Sequence, residues 1–149
     1  MFFLIFATAA VRFPFPLLVC DVGGTNLRVA VARAPGETPR LVLKTQTSAQ
    51  AGLSGALAAA AKAADVAARS VVVCAAGPVE GTKVRLTNAD WTIDGRSVAE
   101  KLGLEQGLLL NDFEAQAIAL PHLAPGMTRD VERALDPNIA NEFAGYGIR

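Results

Sequence analysis

The chain has 149 residues, of which 52% are hydrophobic and 19% charged, and its 14 basic residues balance 14 acidic ones. The high apolar content excludes a disordered chain, and the absence of a basic excess argues against nucleic acid or an anionic membrane surface as a partner. Two cysteines and one histidine are too few for a disulfide framework or a His-rich zinc centre, so the composition predicts one globular domain with neither.

Residues 1–16, MFFLIFATAAVRFPFP, form an apolar segment. Its uncharged stretch, Phe2 to Val11, is too short for a membrane-spanning helix, which takes about 20 residues. The stretch resembles the apolar region of a secretory signal, but no Lys or Arg precedes it and the first positive charge, Arg12, follows it. We predict an N-terminal extension that is not part of the fold and a cytoplasmic location, with export as the alternative.

The residues after this segment predict three strands joined by short turns, which is typical of an antiparallel meander. The strands are the apolar runs Leu17–Cys20 and Leu27–Ala32 and the alternating stretch Arg40–Thr47. From Ser48 to Arg69 the apolar residues recur at helical spacing, which predicts an amphipathic helix with an alanine-lined face.

Two further apolar runs, Ser70–Ala75 and Leu108–Leu110, predict buried strands. The second run is followed by a predicted helix over residues 113–120, which Pro121 ends. Each strand therefore belongs to a β–α crossover, the arrangement that produces parallel pairing.

A small hairpin and a short helix are predicted between these two strands. Lys83–Thr87 alternates like one arm of a hairpin. Asp94 or Ser97 is expected to cap the helix and Gly103 to end it.

This order of elements predicts an α/β domain over residues 17–124. We expect a mixed five-stranded sheet, built from a three-strand meander plus βαβ crossovers, with helices on its faces. From residue 125 to 149 the periodicity fails, and this part is predicted to be an irregular tail.

A glycine turn between the first two strands is a candidate phosphate-binding site. It comprises Asp21, Val22, Gly23, Gly24, Thr25 and Asn26. Adjacent glycines allow a tight turn and let a phosphate approach the backbone, and exposed N–H groups in such a turn form an anion-binding concavity. Asp21, at the end of its strand, could hold Mg²⁺ directly or through water. The alternative is an ordinary glycine hairpin turn.

The pair Asn111-Asp112 follows a buried strand and precedes a helix. Ligands of open α/β sheets bind at this position, beyond the carboxyl ends of the strands. A carboxylate there could accept a proton from a substrate hydroxyl, whereas the alternative is a plain helix cap formed by Asp112.

Polar residues also surround the single tryptophan. Thr87 and Asn88 could hydrogen-bond a polyol, or make only local backbone bonds, and Trp91 is expected to pack on the core. Cys20 and Cys74 lie in apolar strands and are expected to be inert buried thiols.

Four stretches together resemble the bacterial glucokinase family, which belongs to the actin-like ATPase superfamily of sugar kinases. They are LVCDVGGTNLRVAVA (18–32), GPVEGTKVRLTNADWTI (77–93), LGL (102–104) and LLLNDFEAQAIALP (108–121). The resemblance implies a sheet of the ribonuclease H-like/actin-like ATPase type, and ATP-dependent phosphorylation of glucose on its 6-hydroxyl with Mg²⁺.

The resemblance also implies roles for individual residues. Asp112 corresponds to the catalytic base and Asn111 to the neighbouring sugar ligand. The turn Asp21–Asn26 corresponds to the first phosphate motif, and Asn88 to a residue that lines the sugar cleft.

Full members of the family carry a second, larger domain, and we expect nothing after Pro121 to correspond to it. We therefore expect the isolated chain to be inactive and its exposed cleft face to favour self-association. The alternative function is a non-catalytic sugar- or nucleotide-binding module derived from a sugar kinase.

Overall fold

A computed structural model describes residues 13–86 and 90–119 of the chain. The strands are β1 Leu17–Val22, β2 Asn26–Ala32, β3 Arg40–Gln46, β4 Ser70–Ala75, β5 Val79–Glu80, β6 Lys83–Arg85, β7 Thr92–Asp94 and β8 Gln106–Asn111. The helices are α1 Leu53–Ala63, α2 Gly95–Leu102 and α3 Asp112–Ala119, and a 3₁₀ turn, Thr47–Ala49, follows β3.

The main sheet has five strands in the order β3-β2-β1-β4-β8. β1, β2 and β3 pair antiparallel, whereas β4 pairs parallel to β1 and β8 pairs parallel to β4. The predicted mixed sheet, a meander extended by two crossovers, is therefore confirmed. β5, β6 and β7 form a separate antiparallel sheet, which contains the predicted hairpin and a strand, β7, that the sequence did not predict.

The core lies on both faces of the main sheet, because successive side chains of a strand point to opposite faces. Helices α1 and α2 cover the first face, where Leu57 and Val98 pack against alternate residues of β1 and β4. Phe13, Phe15 and Ala115 of α3 pack on the second face. β4 is buried along its whole length, as expected of a central strand covered on both sides.

The first helix is shorter than its apolar pattern predicted, covering Leu53–Ala63 rather than Ser48–Arg69. The chain leaves the helix at Asp65, whose φ of 51° is left-handed. The N–H of Val66 donates to the Ala61 carbonyl at 3.1 Å and the N–H of Asp65 to that of Lys62 at 3.1 Å, which is the Schellman arrangement of a helix end. Alanines continue the helical sequence pattern beyond this point, but the backbone there is no longer helical.

The second helix is held closely against β8 by two glycines. A Cβ added to Gly107 would lie 2.5 Å from the carbonyl oxygen of Gly95, and one added to Gly95 would lie 2.9 Å from the amide nitrogen of Leu109. The predicted cap and stop of this helix are confirmed: the Asp94 carboxylate accepts from the first-turn amides, and Gly103 adopts a φ of 65°. The two glycines therefore allow α2 to pack directly against β8, the edge strand of the main sheet.

Part of the segment that the sequence set apart as an extension packs on the domain. Besides the two phenylalanines on the second face, the Ser70 hydroxyl donates to the Pro14 carbonyl, and the Arg69 amide donates to the Pro16 carbonyl at 2.8 Å. Residues 1–12 and the predicted tail, 125–149, lie outside the described residues. Within the described ranges, no helix has the length and apolar character needed to cross a membrane.

Candidate functional site

The carboxyl ends of β1, β4 and β8 meet at one edge of the main sheet. The register aligns Val22 with Ala75, and Ala75 with Asn111. Asp21 therefore lies one residue before this aligned row on β1, and Asp112 lies one residue after the row at the end of β8. Since neighbouring strands are about 4.8 Å apart, the two outer backbones are separated by about 10 Å across β4.

Asp21 lies on the same face of the sheet as Cys74, and its carboxylate pairs with Arg28. The two residues are opposite each other on β1 and β2, with Nη1 of Arg28 at 3.1 Å from Oδ2 of Asp21. Burial raises the pKa of the Asp21 carboxyl, outweighing the lowering effect of Arg28, and the negative charge of Asp112 raises it further. The carboxylates that the sequence assigned to one site are thus close enough to interact electrostatically.

The glycine turn is held by hydrogen bonds from Thr47, the residue that follows β3. The amide of Gly23 donates to the Asn26 carbonyl at 2.8 Å, which closes the turn. The Thr47 hydroxyl donates to the Gly23 carbonyl at 2.8 Å, and the Thr47 amide donates to the Thr25 carbonyl at 2.9 Å. The side chains of Thr25 and Asn26 are exposed. Sequence reasoning missed Thr47, which is distinguished along the chain only by being a threonine at the end of a strand.

Asn111 connects two segments at the end of β8. Its Nδ2 donates to the Gly77 carbonyl at 2.7 Å, and its Oδ1 accepts from the Phe113 amide at 2.9 Å. The latter bond is the geometry of a helix N-cap, and α3 begins at Asp112. The prediction that Asp112 caps a helix starting at 113 is therefore wrong by one residue, because the Asn111 amide takes that place.

Asp112 is the first residue of α3 and is half-buried. Its Oδ1 accepts from the amide of Phe113 at 2.9 Å. The Phe113 side chain that follows is 75% exposed. Asp112 thus combines a carboxylate with an exposed aromatic neighbour at the edge of the sheet.

The predicted polar pair Thr87 and Asn88 lies outside the described residues. Among the described residues nearby, the Leu86 amide donates to the Trp91 carbonyl at 3.0 Å. The Trp91 side chain packs against the core of the first face, as predicted.

The two thiols are buried and unbridged, as predicted. Cys20 packs on the first face and Cys74 on the second. Burial raises the pKa of Cys74 to about 12 and that of Cys20 well above its usual range. Neither thiol is a nucleophile at neutral pH, because the thiolate is the reactive form.

The donor set at this edge suits magnesium better than a transition metal. The described residues contain no group of three or more His, Cys, Asp or Glu side chains that could hold a metal ion. Magnesium bound together with a nucleotide needs only one or two carboxylates, because water and phosphate oxygens supply its other ligands. The Asp21 carboxylate beside the turn provides a donor of this kind.

The family model and the curated relatives that match this chain indicate the same family. A family model described as Glucokinase matches residues 18–141. The glucokinase of Sinorhizobium medicae is 39% identical over 109 residues, which cover 72% of this chain and 32% of the relative. The glucokinase of Brucella abortus is 38% identical over 112 residues, which cover 74% of this chain and 33% of the relative. The chain thus spans about a third of the length of these curated relatives.

Solved structures share the fold. A glucokinase from an Antarctic psychrotroph matches with a TM-score of 0.67 at 25% identity, covering 76% of this chain and 37% of the other. A ROK hexokinase from Thermus thermophilus matches with a TM-score of 0.52 at 24% identity, covering 74% and 38% respectively. These matches confirm the predicted fold class, that of the actin-like ATPase superfamily.

Proposed function

Because the chain belongs to the glucokinase family, we propose that it provides one lobe of a kinase that transfers a phosphoryl group from ATP to the 6-hydroxyl of glucose. The observation that carries the proposal is the meeting of the glycine turn and the Asn111-Asp112 pair at one edge of the sheet. Phosphoryl transfer requires a phosphate cradle and a hydroxyl acceptor placed on opposite sides of the moving group.

Asp112 is the proposed base. A carboxylate at the end of β8 would orient the sugar hydroxyl by a hydrogen bond and accept its proton. A loose transition state asks little of base strength, so the position of the carboxylate matters more than a raised pKa. The half-buried location of Asp112 leaves it accessible to a sugar.

Asn111 can bind the sugar while it keeps its structural contacts. A side-chain amide has two N–H donors and two lone pairs on its oxygen. The bonds to Gly77 and Phe113 use one donor and one lone pair. One donor and one lone pair therefore remain for a sugar hydroxyl, and Thr87 and Asn88 are proposed to complete the sugar site.

The glycine turn is the proposed phosphate cradle. A Cβ at Gly23 would meet only the Asn26 carbonyl oxygen, at an ordinary contact distance of 3.5 Å. The fold therefore has room for a side chain, and the absence of one lets a phosphate approach the turn amides that follow Gly23. Magnesium held by Asp21 and water would neutralise phosphate charge.

We place the reaction in the cytoplasm, where ATP is available.

A chimeric enzyme tests this function. Residues 18–119 would replace the matching segment of the Sinorhizobium medicae glucokinase, and glucose 6-phosphate formation would be measured with Mg-ATP. We expect a working kinase whose kcat falls by about 10²–10⁴ in the Asp112→Asn variant, the size of effect expected of a positioned base.

Glu114→Gln is the matched control, because it removes an exposed carboxylate two residues away on the same helix. Its kcat should stay within about threefold of the parent chimera, which corresponds to less than 1 kcal/mol in the barrier. A folded chimera without activity, or one equally active with Asp112→Asn, would contradict the proposal.

A further inference from the structure

Thr47 is a fully buried polar residue that contacts the glycine turn from a distant part of the chain. Its exposed fraction is 0%, and it lies immediately after β3, 24 residues from Gly23. Its hydroxyl and its amide donate to the carbonyls of Gly23 and Thr25, at 2.8 and 2.9 Å. The first bond holds the peptide unit between Gly23 and Gly24, and the second holds the one between Thr25 and Asn26.

The bond to Gly23 determines which way the next amide points. In a planar trans peptide unit the C=O and the following N–H point in opposite directions. Because the Gly23 carbonyl points at the buried Thr47, the N–H of Gly24 points away from it. An amide that points away from the interior is the kind of donor an anion-binding turn uses.

We propose that Thr47 is a positioning residue, whose hydroxyl holds the turn in the conformation that presents the Gly24 amide to a nucleotide phosphate. This inference rests on the proposed function, since it assigns a supporting residue to the same phosphate site. Without the hydroxyl, the carbonyl of Gly23 would lack a buried partner, so this peptide unit could rotate and take the Gly24 amide with it.

Two pairs of variants isolate the hydroxyl. Threonine and Thr47→Val have nearly the same shape, and Thr47→Ser and Thr47→Ala differ only by the oxygen. The second pair serves if the valine variant fails to fold. All four 149-residue chains would be titrated with Mg-ADP up to about 10 mM, a range that detects millimolar affinity, while the amide signals of Gly23, Gly24 and Thr25 are followed by NMR.

We expect the hydroxyl-containing member of each pair to bind Mg-ADP about tenfold more tightly, since loss of a buried hydrogen bond to the turn is of that order. Rescue by serine separates this role from packing of the methyl group. Amide signals of β4 and β8 should coincide in all four spectra, which checks that the sheet is intact.

Equal affinity within both pairs would overturn the role of Thr47 and leave the proposed function standing. If the parent chain shows no shift of the turn amides with Mg-ADP, the turn is not a phosphate site. In that case the phosphate cradle of the proposed function and this inference both fail.

Discussion

Neither packing nor backbone conformation explains why residue 23 is a glycine. Its φ lies outside the left-handed region, and an added methyl group would make only an ordinary contact. Where the backbone tolerates alanine, the replacement stabilises a protein by about 0.4–1 kcal/mol, because the unfolded chain loses freedom. Under the proposed function, the glycine serves the approach of a phosphate to the turn rather than the turn itself.

We predict that Gly23→Ala leaves the free energy of unfolding unchanged or raises it by up to about 1 kcal/mol, while weakening Mg-ADP binding at least tenfold. Urea denaturation and an NMR titration of the same samples would measure both effects. Gly36→Ala, at an exposed turn outside the candidate site with a φ of 76°, is the reverse control. It should lose stability without changing affinity, and the prediction fails if alanine at 23 unfolds the chain or binds Mg-ADP normally.

Elements that bear the site are positioned by backbone contact as much as by apolar side chains. α2 approaches β8 so closely that a methyl group added to Gly107 would collide with the Gly95 carbonyl. Asn111 then ties the end of the same strand to the turn after β4. The place of Asp112 thus depends on contacts made at both ends of β8.

Gly107→Ala should lower the free energy of unfolding by about 1–3 kcal/mol, because the added methyl group forces α2 away from the sheet. Gly55→Ala provides the comparison, since Gly55 lies on an exposed part of α1 with nothing within 4 Å of its added Cβ. That change should be stabilising by about 0.5–1 kcal/mol, as for glycine in a helix interior. Equal effects of the two substitutions in urea denaturation would show that the close approach does not limit the fold.

At the scale of the whole molecule, the matched relatives are about three times as long as the segment they share with this chain. Catalysis of transfer between two substrates depends on holding both in register and excluding water. The proposed site supplies a base and part of a phosphate cradle, and the remaining two thirds of each relative has no counterpart in the match.

We predict that the purified 149-residue chain forms glucose 6-phosphate more slowly than about 1 s⁻¹, the lower end of ordinary kinase rates. The assay is coupled glucose 6-phosphate detection with Mg-ATP, run beside the Sinorhizobium medicae enzyme and the Asp112→Asn chain. Faster turnover that the substitution abolishes would show that the chain is a complete catalyst. Self-association through the cleft face remains a prediction, for which the exposed Phe113 is the first side chain to test.

The sequence by itself determined the order of the helices and of the five main-sheet strands, and it showed the two motifs of the candidate site. Buried strands are continuous apolar runs and tight turns need glycine, so both leave a local signal in the chain. The sequence pattern overestimated the length of α1. The alanines that follow Ala63 favour a helix locally, but the backbone leaves the helix at Asp65.

Only the tertiary structure decided which polar groups hold those motifs. Thr47 reaches Gly23 across 24 residues, and Asn111 reaches Gly77 across 34. Such bonds depend on strand register and on which face a side chain takes, and a change of one residue in register would break them. No spacing rule along the chain records them, because the partners become neighbours only when the sheet has formed.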